Sequence, residues 1–310
     1  MKILLLGKDG QVGHALQGAL ASLGQVISCG RQEADLADLD VLARLVRQHA
    51  PAVLVNAAAY TAVDAAESHR DRAMRVNAEA VALLAAEMRA LGGWLVHYST
   101  DYVFDGHKAG PYTEEDLPAP LSVYGASKLA GEQAVTSSGC RHLVFRTSWV
   151  YGAHGANFAK TMLRLAQERT ELKVVDDQLG APTSAPLIAG ATARVLQAVL
   201  GDVGFAPRAT EFHHTGLYHL AAAGEVSWHG YASYLLQVAR ELGYPLTVAP
   251  GSVHPIHAAS YPAVAKRPAN SRLDTGKLCR TFGLTMPPWQ EGVRELVSTL
   301  KAKESAREST

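Results

Sequence analysis

Ile3-Leu4-Leu5-Leu6 is an unbroken apolar run closed by Gly7. Such a run suits a strand buried on both faces rather than one with a wet face. Val12, Leu16, Leu20 and Leu23 then recur at helical spacing, which predicts a helix over 12–23. The same alternation continues down the chain. Val26-Ile27, Ala52–Val55, Trp94–Tyr98 and Leu143–Phe145 read as strands. Leu36–His49, the alanine-rich Ala73–Leu91 and Ser127–Val135 read as helical stretches between them. Strand–helix alternation through residues 1–150 predicts an α/β fold, a doubly wound parallel sheet with helices on both faces.

After Tyr151 the rhythm loosens. Helices are expected over Phe158–Glu168, Leu187–Leu200, Tyr231–Leu242 and Trp289–Leu300, with strands at Lys173–Val175 and Leu217–Leu220. Residues 201–216 read as a loop, and five prolines within 244–272 predict irregular structure. The expected domains are a dinucleotide-binding unit over 1–150, with returning segments at about 173–222, and a smaller α/β unit over 151–172 and 223–300. The polar end, 301–310, is expected to be a flexible tail.

Composition narrows the function classes. Lys+Arg and Asp+Glu both number 29, which speaks against binding nucleic acid through a basic surface. Cys29, Cys140 and Cys279 are far apart, with no ligand spacing for a metal and no disulfide framework. No stretch approaches the roughly 20 apolar residues of a membrane span, and Ile3–Leu6 is too short for a signal peptide. The expected setting is cytoplasmic.

The chemistry is concentrated in two places. Gly7-Lys8-Asp9-Gly10-Gln11-Val12-Gly13 joins the first strand to the first helix. A pyrophosphate-binding turn needs a tight bend, close backbone approach and a helix N-terminus, and glycines at 7, 10 and 13 suit all three. The tip of the second strand reads Cys29-Gly30-Arg31. No acid stands there to hold ribose hydroxyls, and Arg31 suits the 2′-phosphate of NADPH, with NADH use left open. Asp35 and Leu36 are expected near the adenine, Asp35 also as a helix cap. Asn56–Tyr60 ends the third strand with small residues that would let a nicotinamide ribose pass.

The second place is catalytic. Ser99-Thr100-Asp101 follows the fourth strand, and Tyr124 precedes Lys128 by four residues. On a helix that spacing shares a face. An ammonium beside a phenol favours phenolate, so Tyr124 is the candidate acid and Lys128 its partner. Thr100 supplies a hydroxyl that can hold the same carbonyl or relay the proton.

Together these residues resemble the extended short-chain dehydrogenase/reductases and, among them, the dTDP-4-dehydrorhamnose reductase family. The strings that carry the likeness are 7–13 (GKDGQVG), 56–64 (NAAAYTAVD), 98–104 (YSTDYVF), 123–132 (VYGASKLAGE), 145–152 (FRTSWVYG), 157–165 (NFAKTMLRL), 177–183 (DQLGAPT) and 267–275 (RPANSRLDT). The resemblance implies a Rossmann-type sheet. It also implies reduction of the C4 ketone of dTDP-4-dehydro-6-deoxy-L-mannose to dTDP-L-rhamnose by hydride from NAD(P)H. By it Gly10, Gln11, Val12, Ala59, Tyr60, Thr61 and Tyr98 line the cofactor, Thr100 and Asp101 contact the sugar, and Trp149 packs on the substrate. Arg267 and Arg272 are diphosphate candidates from charge type alone. A homodimer is left open. Some relatives are bridged by a metal held by glutamates, but here that stretch reads His14-Ala15-Leu16, so no metal is expected.

Two alternatives stand beside this. One is another sugar-nucleotide enzyme of the same fold, a dehydrogenase, dehydratase or epimerase; dehydratases resemble a pattern with a glutamate directly after Thr-Asp, whereas Tyr102 follows Asp101 here. An NADP-binding regulatory subunit would share the scaffold without turnover. The intact Thr100, Tyr124 and Lys128 speak against it.

Overall fold

The computed structural model describes residues 1–201 and 214–308. Its centre is a six-stranded, wholly parallel sheet. Strands β1 (Lys2–Leu6), β2 (Gln25–Cys29), β3 (Val53–Asn56), β4 (Trp94–Thr100) and β5 (Arg141–Thr147) are joined by a sixth, Gly216–His219. The spatial order is β2-β1-β3-β4-β5 and then the sixth strand. The order reverses between β1 and β3, and ligands of such sheets bind beyond the carboxyl ends at that switch point.

The apolar runs divide by alternation. Ile3, Leu5, Val53, Val55, Val96 and Phe145 pack on one face against Leu16, Leu20, Ile188 and Val195. Leu4, Leu6, Leu54, Leu95 and Val144 pack on the other against Leu42, Val46, Leu84 and Met88. Both faces are covered, so the strands carry no polar face.

A second cluster holds the helices Phe158–Glu168, Trp228–Glu241 and Trp289–Glu308, through Leu163, Leu235, Leu236, Trp289 and Val293. Two segments differ from expectation. Leu172–Val175 pairs in parallel with Val253–Ile256, and Leu172 and Val174 bury in this second cluster rather than against the six-stranded sheet. Conversely Leu278, Leu284 and Met286 pack on the first cluster.

Several boundaries are corrected too. Leu39–His49 is capped by Asp38, whose carboxylate accepts from Val41, so Asp35 is not the helix cap. The helix expected from Ala73 begins at Arg70 and is interrupted by a π turn over Arg75–Glu79. The polar end continues the last helix to Glu308, and its alanines, lysines and glutamates are good helix formers. Most of the loop expected over 201–216 lies outside the described residues. Among the described residues no helix is long and apolar enough to cross a membrane.

Candidate active site

A cleft of about 1040 Å³ lies along the carboxyl ends of β1–β5. The bend after β1 forms its floor. Gly7 has φ +85, and a Cβ there would lie 2.7 Å from the backbone nitrogen of Ala58, so the turn admits only glycine. Gly13 is buried against the Gly7 carbonyl and fixes how closely the first helix, Gln11–Leu20, meets the turn. No side chain caps that helix and no acid lies in its first turn. Its first amides are therefore available to an anion, which fits a pyrophosphate. The segment 152–157 closes over the same bend. Asn157 Nδ2 donates to Gln11 Oε1 at 2.9 Å, and His154 Nε2 sits 2.9 Å from the Asp9 carbonyl.

Most residues singled out in the sequence meet here. Gly7, Gly10, Gln11 and Val12 line the phosphate end, and Arg31, Asp35 and Leu36 the far end. Ala59, Tyr60 and Thr61 form one wall; Tyr98, Thr100, Asp101, Tyr124, Lys128 and Trp149 form the centre. Arg31 is 68% exposed and 3.4 Å from Asp35, leaving most of its fork free for a further anion. Asp35 is held below the usual carboxylate range, first by the Ala37 N–H and then by Arg31.

Three residues do not line it: Gly13, which packs beneath the bend against the Gly7 carbonyl, and two arginines. Arg272 is bound by Glu225 at 2.8 Å, Asn270 Oδ1 at 2.8 Å and the Ala109 carbonyl at 2.5 Å. Arg267 pairs with Asp64 at 3.0 Å. Neither lines the cleft, and each is already paired with a carboxylate within the chain. The basic side chains that do line it, besides Arg31 and Lys128, are His69 and Arg72. Nothing in the pattern around Arg72 signalled it.

The centre differs in detail from a simple phenol–ammonium pair. Tyr124 is the second residue of the helix Val123–Ser137, whose first turn is capped by Ser122. Burial pushes the phenol up to about 12; the nearby Thr100 side chain lowers it and the Asp101 charge raises it, while the Thr100 hydroxyl itself donates to Asp101 Oδ1 at 3.1 Å. Lys128 instead donates to the Tyr98 carbonyl at 2.6 Å and lies 3.3 Å from His97 Nε2. Burial brings it down to about 8. The phenol is thus a protonated acid at neutral pH, not one held as phenolate.

Asp101 is 2% exposed, and burial pushes it up to about 6. Among the described residues the buried hydroxyls of Ser99 and Thr147 and Asp101 Oδ2 have no close hydrogen-bond partner, though the Ser271 side chain also lowers the Asp101 pKa, and Ser99, Asp101 and Thr147 line the cleft. Such groups fit a ligand rich in hydroxyls.

An aromatic wall closes the other side. Trp149 has φ +47 and stacks on Trp228 with centroids 3.6 Å apart. A Cβ on Gly180 would lie 2.6 Å from the Trp149 ring. Trp228, Phe158 and Tyr231 line the cleft with it. A tryptophan directly after Ser227, the cap of its helix, was the one available sign.

A parallel sheet with a glycine bend at its switch point, and a tyrosine, lysine and threonine at its carboxyl edge, defines a dinucleotide-dependent reductase of the extended short-chain type. The RmlD substrate binding domain family matches residues 1–302, and the chain belongs to that family. A dTDP-4-dehydrorhamnose reductase of Burkholderia thailandensis is 49% identical over 302 residues, covering 96% of this chain and 100% of the relative. One from Escherichia coli K12 is 46% identical over 308 residues, covering 97% and 98%. Among solved structures, a dTDP-4-dehydrorhamnose reductase of Clostridium acetobutylicum superposes with a TM-score of 0.86 at 34% identity, over 97% of this chain and 100% of that one. The Bacillus anthracis enzyme in complex with NADP gives 0.81 at 33% identity, over 95% and 98%.

Proposed function

We propose that this chain reduces the C4 ketone of dTDP-4-dehydro-6-deoxy-L-mannose to the alcohol of dTDP-L-rhamnose, with NADPH as reductant. The observation that carries this is the meeting, in one cleft, of the Thr100–Tyr124 hydroxyl pair and Lys128 with an uncapped glycine bend. When bound, NADPH supplies the hydride. Gly7, Gly10, Gln11, Val12 and Gly13 would seat its pyrophosphate, Arg31 its 2′-phosphate, and Ala59, Tyr60 and Thr61 its nicotinamide half. Tyr124 gives its proton to the ketone oxygen, and the Thr100 hydroxyl, which donates to Asp101 Oδ1 at 3.1 Å in the free protein, turns to hold that oxygen as charge develops. Asp101 and the unpartnered hydroxyl of Thr147 bind sugar hydroxyls, and Trp149 lies against the sugar ring.

In this reading the first apolar cluster, with the sheet, is the cofactor half and the second is the substrate half. With Cys29, Cys140 and Cys279 unpaired, a reducing cytoplasm is the fitting location. The test is direct. Purified protein is mixed with NADPH and the 4-keto sugar nucleotide, and reductant loss and product are followed. Stoichiometric NADPH oxidation with appearance of dTDP-L-rhamnose is expected. Bound NADPH that is never consumed would identify a cofactor-binding protein without turnover.

A further inference from the structure

One cation of the cleft has no partner from the chain. Arg72 lines the cleft from the short helix Arg70–Met74. It is exposed, and among the described residues no hydrogen bond or ion pair reaches its guanidinium. The chain is pinned on either side of it. His69 Nδ1 lies 3.1 Å from the hydroxyl of Tyr60, on the cofactor wall. Arg75 Nε donates to the Ala37 carbonyl at 3.1 Å. Ala37 in turn gives its N–H to Asp35 Oδ1 at 3.0 Å, and Arg31 Nε meets Asp35 Oδ2 at 3.4 Å. The segment that carries Arg72 is thus tied, through Ala37 and Asp35, to the segment that carries Arg31. Both arginines act on the same carboxylate. The Ala37 N–H first, then Arg31, then the Arg72 charge hold Asp35 below the usual carboxylate range.

We infer that Arg72 is a specificity-determining residue: together with Arg31 it holds the 2′-phosphate on the adenosine ribose of NADPH, so that two arginines choose the cofactor. This rests on the NADPH of the proposed function and not on its sugar. Charge is the reason that one arginine does not suffice. A phosphate monoester carries about 1.5 to 2 negative charges at neutral pH. Asp35 is ionised and offsets Arg31, so that pair alone offers such a group no net attraction. A second guanidinium turns the corner positive and brings a further fork of donors shaped for phosphate. The pyrophosphate of the cofactor has the uncapped amides of the Gln11–Leu20 helix to meet it. The 2′-phosphate has only this corner. Arg70 provides the contrast. It stands on the same helix and is exposed as well, yet it does not line the cleft.

The test measures dissociation constants of NADPH and NADH by fluorescence titration in the wild type, Arg72→Gln and Arg70→Gln. Adenosine 2′,5′-bisphosphate and 5′-AMP, used as displacing ligands, separate the 2′-phosphate from the rest of the cofactor. Arg72→Gln should weaken NADPH and the bisphosphate by about tenfold, the worth of one charge-assisted contact. NADH and 5′-AMP lack that phosphate and should change by less than about twofold, as should all four ligands with Arg70→Gln. Retained NADH binding also reports that the variant is folded. Equal losses of NADPH and NADH would put Arg72 on a part that both share, and would overturn the inference. Unchanged NADPH affinity would overturn it too. So would equal losses from Arg70→Gln, which would make the effect one of net charge. A wild type that binds NADPH no more tightly than NADH would remove both the inference and the choice of NADPH. The predicted split in a protein that never consumes NADPH with the 4-keto sugar nucleotide would leave the inference standing and remove the reductase reading.

Discussion

The hydroxyl of Thr100 donates to the neighbouring Asp101 carboxylate, at 3.1 Å from Oδ1, and faces the cleft with the Tyr124 phenol. Thr100 also accepts from the Tyr102 N–H at 3.2 Å, which holds it at the end of β4. Thr100→Val keeps the shape and removes the hydroxyl. A hydrogen bond to a group that becomes charged contributes about 1.5–3 kcal/mol, so kcat should fall by roughly 10- to 100-fold. NADPH affinity should be unchanged. Steady-state kinetics beside a fluorescence titration of NADPH would check both, and an unchanged kcat would remove Thr100 from the proton-transfer site.

Arg31 governs the choice of reductant in this account. Its exposed fork faces the cleft beside Asp35. Arg31→Ala should raise the KM for NADPH by about tenfold, the value of one charge-assisted contact at an open site. The KM for NADH should be nearly constant. Parallel losses with both cofactors would show that the arginine does not meet the 2′-phosphate.

Much of this was legible in the residues, for reasons that can be named. The apolar run Ile3–Leu6 and the spacing within Phe158–Glu168 each admit one burial pattern, and the structure has both elements. The glycines at 7 and 13 announced their bend because only a backbone without Cβ fits there, whereas Gly10 leaves ordinary van der Waals room for one. The pairing of charges was not legible. Arg272 and Arg267 looked free, yet Glu225 lies 47 positions from the first and Asp64 lies 203 from the second. Nor does local propensity announce a tryptophan at positive φ; the stack on Trp228 and the space at Gly180 hold Trp149 there.

Asp101 predicts a pH-dependent stability. Its folded pKa, raised to about 6 by burial, lies above its ordinary value of 3.8. The folded state therefore binds this proton more tightly, and the carboxylate destabilises the fold increasingly as pH rises from about 4 to above 6. Asp101→Asn should stabilise the protein at pH 7, by up to about 3 kcal/mol, with little gain near pH 4. Urea unfolding at the two pH values would measure it. An equal gain at both would mean that Asp101 is not destabilised by burial.

Gly180 tests the aromatic wall. An added Cβ would meet the Trp149 ring at 2.6 Å, and the indole must move from its stack on Trp228. Gly180→Ala should raise the KM for the sugar nucleotide by about tenfold, the order expected for a displaced aromatic contact. NADPH binding should persist. A wild-type KM would place the substrate away from Trp149.

The central claim is that the buried phenol of Tyr124 delivers the proton to the ketone. Tyr124→Phe removes one oxygen at a position held by its helix and by an edge contact with Tyr102, centroids 5.6 Å apart. The decisive measurement is single-turnover oxidation of prebound NADPH by the 4-keto sugar nucleotide in this variant. The account predicts a rate lower by about 10²- to 10⁴-fold, the usual worth of a positioned general acid, with NADPH affinity preserved. A single-turnover rate equal to that of the wild type would contradict it.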